Sequence, residues 1–320
     1  MLKYEIIKRM KTLRESLLDD NLVRDADEMI IKDEIESFLK ENYDYINYMG
    51  SIKISNKPNK DGKYEVSSTT DVGVKNYNIT SLTNGMFVWE VVNGDFRCYE
   101  CNSLISLKGA PEKVGGTFDC SDCKYLTSLE GAPKKVGGKF NCSHCNSLKS
   151  LESAPKKVGG DFYCSRCNSL ISLEGAPKEV GGDFDCSECN SLISLEGAPK
   201  EISGDFYCNL NISLKSLEGA PKEISGDFYC NSNKSLKSLE GAPKKTGRNF
   251  DCSMCNSLTS LEGAPKEVGG TFSCSNCNSL KSLEGAPKEV GGYFYCLLCT
   301  NRFTIEDVKK VSNVKGKIKC

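Results

Sequence analysis

The chain has 320 residues, 38% of them hydrophobic, and its 42 Lys plus Arg nearly cancel its 43 Asp plus Glu. That balance leaves no overall field to draw the protein to nucleic acid or anionic lipid, so neither is expected as a partner. No run approaches the roughly 18 apolar residues of a membrane helix, and a single histidine, His144, removes most Ser-His, Cys-His and zinc-His schemes.

The opening MLKYEIIKRMKTLRESLL interleaves charge with apolar residues. It lacks the continuous core of a signal peptide, which points to the cytoplasm, where thiols stay reduced. Residues 1–50 read as two amphipathic helices. Ile6, Met10, Leu13 and Leu17 form one helical stripe and Ile31, Ile35, Phe38 and Leu39 another, with a break at LDDN (18–21). Residues 51–94 are expected to form a β-rich cap. After a polar stretch (53–63) come strand-like YEVSS, VGVKNYNI and MFVWEVV, and the lone tryptophan, Trp89, reads as cap core.

From 95 to 301 the chain repeats ten times. Proline recurs at 111, 133, 155, 177, 199, 221, 243, 265 and 287, and phenylalanine at 96, 118, 140, 162, 184, 206, 228, 250, 272 and 294, always at an interval of 22. So strict a period makes each unit a rung that buries its apolar face against its neighbours. In GGDFYCSRCNSLISLEGAPKEV the alternation turns Phe162 and Cys164 inward and Asp161, Tyr163 and Ser165 outward. Leu170, Leu173, Ala176 and Val158 supply further core positions, and GAPK and GG supply turns. Proline and glycine in every rung exclude a helix there. Stacked at about 4.8 Å, the rungs make a parallel sheet roughly 50 Å long. The expected fold is an α/β repeat solenoid with one short parallel strand per 22-residue rung, an N-terminal helical element and a C-terminal cap at 302–320. In that cap TIEDVKKV carries Thr304 and Asp307 at capping-box spacing.

The pattern FxCxxCxxL resembles the core of the leucine-rich repeat, notably its cysteine-containing variety, and the 22-residue length with LxSLxxxP looks like the short bacterial kind. More narrowly, NSLxSLEGAPKxVGGxFxC is similar to tandem-repeat proteins encoded by large phages and other viruses. The likeness extends to residues 64–96 and to the tail FTIEDVKKVSNVKGKIKC. It implies a right-handed coil, a protein-binding role, and a place in the host cytoplasm or the virion. One departure is that Gly159, beside Val158, stands where the leucine-rich repeat has its first leucine, implying a flatter outer curve.

Nineteen cysteines are unusual for a reducing compartment. Taken alone, CYEC (98–101) and CSDC (120–123) match a zinc-ribbon spacing, so a zinc-binding CxxC array is the alternative reading. Three features favour structural thiols, with no metal or cofactor expected. The second cysteine gives way to Asn211 and Asn233, poor replacements for a thiolate ligand. In leucine-rich repeats asparagine shares this position and satisfies backbone groups at the turn. Intact pairs come as five consecutive rungs and then three, so zinc joining rungs in twos leaves one pair over in each block. Finally, Cys164 shares the inward face with Phe162, where a thiol behaves as a small hydrophobe. Stacked thiols lie within disulfide range after oxidation, and Cys320 reads as a reactive outlier from the ladder.

Because the rungs are alike, their differences carry the information about a ligand. The outward position after phenylalanine reads Arg97, Asp119, Asn141, Tyr163, Asp185, Tyr207, Tyr229, Asp251, Ser273 and Tyr295. The one before it is acidic at Asp161, Asp183, Asp205 and Asp227. Tyrosines beside acids on a rigid sheet suit protein recognition, and stacked like charges carry a cost that a basic partner relieves. These residues form the candidate partner-binding face; Phe162, Cys164, Cys167, Leu170, Leu173, Asn211 and Asn233 are assigned structural roles. The competing reading is that tyrosine favours strands and aspartate caps the glycine turn. On the opposite edge, glutamates at 130, 152, 174, 196, 218, 240, 262 and 284 each precede a lysine by four, a solvated edge whose ladders neutralise each other. No catalytic constellation emerges. His144 occupies a turn slot held by Asp122, Arg166 and Glu188 in neighbouring rungs. The expected function is a non-enzymatic scaffold that binds a protein through the strand face.

Overall fold

A computed structural model describes residues 20–44 and 51–320, so the first expected helix, around residues 6–17, lies outside the described residues. Helix α1 (Asp20–Asn42) starts inside the LDDN segment. Its stripe faces the core as expected: Ile35 and Leu39 are buried, and Ile31 and Phe38 pack against them. Asn42 ends the helix by turning its side-chain amide back to the Phe38 carbonyl (2.9 Å), while its own carbonyl accepts the Lys75 N–H (2.9 Å). The N-terminal cap then adds β1 (Tyr43–Asp44), β2 (Ile52–Ile54), β3 (Tyr64–Ser68), β4 (Val72–Val74) and β5 (Phe87–Val92). Strand β2 falls partly in the stretch read as polar. Strand β4 is shorter than VGVKNYNI suggests, because Asn76 accepts the Asn78 N–H on its side chain and the Ile79 N–H on its carbonyl, closing a turn. Trp89 is cap core: it meets Tyr43 edge-on at 5.5 Å, and the Tyr43 hydroxyl donates to the Leu82 carbonyl (2.6 Å).

From the cap onward, Val72–Val74 included, the chain winds as a parallel β-solenoid of about twelve turns with a period near 22 residues. Each rung contributes two strands rather than one, for example Lys157–Val158 and Phe162–Tyr163. The phenylalanine strands lie in one sheet of thirteen strands, and the valine strands form a sheet of eight and a sheet of five. Equivalent residues face one another throughout, Phe140 opposite Phe162 and Val158 opposite Val180. The second strand is hard to read in sequence because it has two residues, only one of them apolar, set between a proline and a glycine pair.

That glycine pair turns the chain from one sheet to the other where backbones nearly touch. A Cβ on Gly159 would lie 2.1 Å from the Gly137 carbonyl oxygen, which explains why no leucine stands there. Two successive rungs carry Ser203 and Ser225 in this slot, and between their strands, Glu201–Ile202 and Glu223–Ile224, the second sheet is interrupted. Inside, ten phenylalanines from Phe96 to Phe294 are fully buried and stack with centroids 5.1–5.8 Å apart.

At the far end α2 (Ile305–Val311) carries the expected capping box: the Thr304 hydroxyl accepts the Asp307 N–H (3.2 Å) and the Asp307 carboxylate accepts the Thr304 N–H (3.0 Å). Bonds from the Thr304 hydroxyl and N–H pull the Asp307 carboxyl down to about 2. The tail is not only a cap. Asn313–Val314 and Ile318–Lys319 add one more strand to each side, pairing with Glu289–Val290 and Phe294–Tyr295. Cys320 therefore continues the cysteine ladder above Cys296, with the sulfurs 2.6 Å apart, instead of standing outside it.

The GAP corner is a type II turn, with the Ala176 N–H bonded to the Leu173 carbonyl (3.0 Å) and Gly175 at φ +89°. Ser153 alone among these turns puts a side chain in that slot, at φ 72°. Ser153→Gly should therefore raise stability by about 1 kcal/mol in chemical denaturation. Gly175→Ser should lower it by at least as much, since a Cβ there would meet the Glu152 nitrogen at 2.3 Å.

Candidate interaction face and the cysteine ladder

The inward cysteine of each rung, such as Cys164, follows phenylalanine by two and is buried beside it. The next turn depends on a left-handed residue just before the second cysteine: Glu100, Asp122, His144, Arg166, Glu188, Leu210, Ser232, Met254, Asn276 and Leu298 all have φ between 57° and 63°. His144 is one of these turn residues, with Nδ1 3.6 Å from Asp122. The turn drives the second sulfur inward over a carbonyl of the rung before. Cys123, Cys145, Cys167 and Cys189 each donate to the carbonyl of Cys98, Cys120, Cys142 and Cys164, at 3.2 Å. Only a protonated thiol donates in this way, and burial pushes the Cys98, Cys164 and Cys189 thiols well up.

Asn211 and Asn233 perform the same task with more bonds. The Asn211 amide donates to the carbonyls of Cys186 (3.1 Å) and Cys208 (2.9 Å), and its oxygen accepts the Cys189 N–H (2.6 Å). Asn233 repeats the set on Cys208, Cys230 and the Asn211 N–H. Leu170 and Leu173 are fully buried. Among the described residues no group of three or more His, Cys, Asp or Glu is arranged to hold a metal ion.

The outward candidates are half-buried rather than freely exposed, and Asp227 is only 3% exposed, because each side chain is covered by its own copies above and below. They divide into two kinds of rung. Where tyrosine follows phenylalanine and aspartate precedes it, the hydroxyl donates to that aspartate: Tyr163 to Asp161 (3.0 Å), Tyr207 to Asp205 and Tyr229 to Asp227 (both 3.1 Å). Where Asp or Asn follows, it accepts the N–H of the serine two residues on, at Asp119, Asn141, Asp185 and Asp251.

The acidic ladder has a backbone role as well. One oxygen of Asp161, Asp183, Asp205 and Asp227 accepts the N–H of the equivalent residue in the next rung, at 2.7–3.0 Å. These bonds hold like charges in a row that would otherwise repel. The few counter-charges lie at slots the periodic reading passed over. Arg248, in a glycine slot, approaches Asp205 (3.7 Å) and Asp227 (3.5 Å), and Lys139 lies 4.5 Å above the Tyr163 ring. Lys319 stands 5.4 Å over Tyr295. Arg97 is paired with Asp95 and Asp71 near the cap. Asp161, Asp183 and Asp185 have no ion-pair partner among the described residues. Burial, with Asp161, Asp183 and Asp185 nearby, pushes the Tyr163 hydroxyl up; burial with Asp205 and Asp183 does so for Tyr207.

On the opposite edge the expected mutual neutralisation is absent over most of its length. Lys108 meets Glu130 and Lys134 meets Glu112, both at 3.0 Å, in the first turns. Further along, the ion pairs use a neighbouring slot, Lys157 with Glu179 and Lys245 with Glu267.

Cys164→Ala should cost about 1–2 kcal/mol through lost packing, with an identical loss in the presence of a chelator. Of the nineteen thiols only Cys320 is exposed, so a thiol reagent on the native protein should show one fast-reacting group, removed by Cys320→Ser. The raised thiol values also make the fold sensitive to alkali. Their stabilisation is complete below the free-thiol value of about 8.5 and is lost as pH rises from there towards the folded values, so the melting temperature should fall between about pH 8 and 10.

Among known proteins, no family model, no curated protein and no solved structure matches the chain. Its description rests on the fold itself, a tandem-repeat solenoid of about twelve turns of some 22 residues.

Proposed function

We propose that the chain is a non-enzymatic protein-interaction scaffold that binds a basic protein segment through the phenylalanine-strand face. The observation that supports this best is the alternation of held tyrosines with uncompensated carboxylates between Tyr163 and Tyr229. Along the ladder Asp185 lies between Tyr163 and Tyr207, and Tyr229 stacks on Tyr207 at 5.1 Å. Each ring is anchored by its hydroxyl, so it loses little side-chain entropy when a partner covers it. Asp183 and Asp185 share one rung and one face, and each has one oxygen committed to the backbone. A lysine or arginine of the partner would meet carboxylates below and an aromatic ring on either side. The kinship with leucine-rich repeats and the setting in a phage or virus, inside a host cell or in the particle, belong to the same proposal and are supported by the repeat wording alone.

The test is affinity capture from host extract, combined with anisotropy titration of lysine-rich peptides. Tyr163→Ser with Tyr207→Ser and Tyr229→Ser, and separately Asp183→Asn with Asp185→Asn, should each weaken binding at least tenfold, about 1.4 kcal/mol. Unchanged recovery and unchanged titrations with folded variants would remove the strand face from consideration.

A further inference from the structure

The GAP corner carries two rows of exposed charge that, beyond the first turns, find no ion-pair partner among the described residues. Eight glutamates, at 130, 152, 174, 196, 218, 240, 262 and 284, stack on one side of the Gly-Ala-Pro turn, and eight lysines, at 134, 156, 178, 200, 222, 244, 266 and 288, on the other. The rows are in register. The Lys178 N–H bonds the Lys156 carbonyl (2.9 Å), Lys200 bonds Lys178 (3.1 Å) and Lys266 bonds Lys244 (2.9 Å). The Leu151 and Leu173 N–H groups likewise bond the carbonyls of Glu174 and Glu196. From Glu152 and Lys156 onward no side chain of either row makes an ion pair among the described residues. Between the rows runs a groove of about 940 Å³, lined by the Gly, Ala, Pro and Lys of three successive corners, Gly175–Lys178, Gly197–Lys200 and Gly219–Lys222.

We infer that this corner is a self-complementary interface on which a second copy of the chain docks in parallel, the two related by a two-fold axis along the solenoid. That operation lays each glutamate row against the partner copy's lysine row on both flanks of the apolar groove, at the same rung spacing of about 4.8 Å. An antiparallel copy would set glutamate against glutamate and is repelled. A single-sign polymer fails for the same reason, since one flank always opposes it. The rows run for about 34 Å and, with side chains laid outward, cover about 20 Å across. The patch thus approaches the roughly 800 Å² per partner of a standard interface. It lies away from the phenylalanine-strand face, so it stands or falls independently of the function proposed for that face.

The experiment is sedimentation equilibrium on the full chain and two charge-reversal variants. One carries Lys178→Glu, Lys200→Glu and Lys222→Glu; the other carries Glu174→Lys, Glu196→Lys and Glu218→Lys. The wild type should sediment at twice the chain mass and dissociate as salt approaches ~1 M, where screening shortens to about 3 Å. Each variant alone should be monomeric, and an equimolar mixture should recover the dimer. A wild type that stays monomeric, or a dimer that both variants preserve, overturns the proposal, as does a mixture of folded variants that does not associate. Should a variant fail to fold by circular dichroism, the salt dependence of the wild-type mass decides alone: association that survives ~1 M salt counts against it.

Discussion

Everything in this molecule follows from a register that does not slip. Parallel pairing of each rung with the next places every residue directly over its equivalent, so each position must tolerate, or exploit, contact with a copy of itself. Phenylalanine exploits it. Ten buried rings stack with near-parallel planes over most of the array, adding about 0.5–1.5 kcal/mol per pair to the gain from burial. Glycine at 159 and its equivalents is there because tolerance has a steric limit: a Cβ would strike the carbonyl of the rung before. The interruption of the second sheet at Ser203 and Ser225 shows what happens when that limit is approached twice running.

The same register explains the polar ladders. A coil turning every few residues leaves carbonyls facing its own core, and a buried carbonyl must be bonded. Thiols at the second cysteine position are small enough to pack and polar enough to donate a weak bond. Asn211 and Asn233 are bulkier and make three side-chain bonds each, yet fit the same space. On the outer side aspartates cap the next rung's N–H groups, which lets a row of like charge persist. The carboxylate oxygens left over at Asp183 and Asp185 give the face its negative character. In the function proposed for this face, structure and recognition would use opposite oxygens of the same side chains.

The ends obey different rules because a stacked coil has no copy to cover its last rung. At the N-terminal side Trp89 meets the first phenylalanine edge-on and Tyr43 meets it tilted, while Phe38 of α1 packs on Tyr43 and Phe87, the ladder's parallel stacking giving way to an irregular core. At the C-terminal side α2 interrupts the period and a final pair of strands resumes it, which is why Cys320 lands in the ladder two residues late.

Periodicity alone identified the solenoid and its core list, since a 22-residue interval without gaps admits only stacking and inward alternation names the buried residues; the role of asparagine beside cysteine was implied by the resemblance to leucine-rich repeats. The α1 stripe and the Thr304–Asp307 cap were equally legible, being local patterns of helix geometry. What sequence did not convey are features whose cause lies one rung away. The second strand at Lys157–Val158 exists because its neighbours pair with it, not because its two residues prefer extension. Half-burial of Tyr163 and Asp161, the capping of N–H groups by the acidic row, and the unpaired rows of Glu174 and Lys178 all depend on distances between rungs. Those distances are set by backbone hydrogen bonds across the stack, which no single repeat contains.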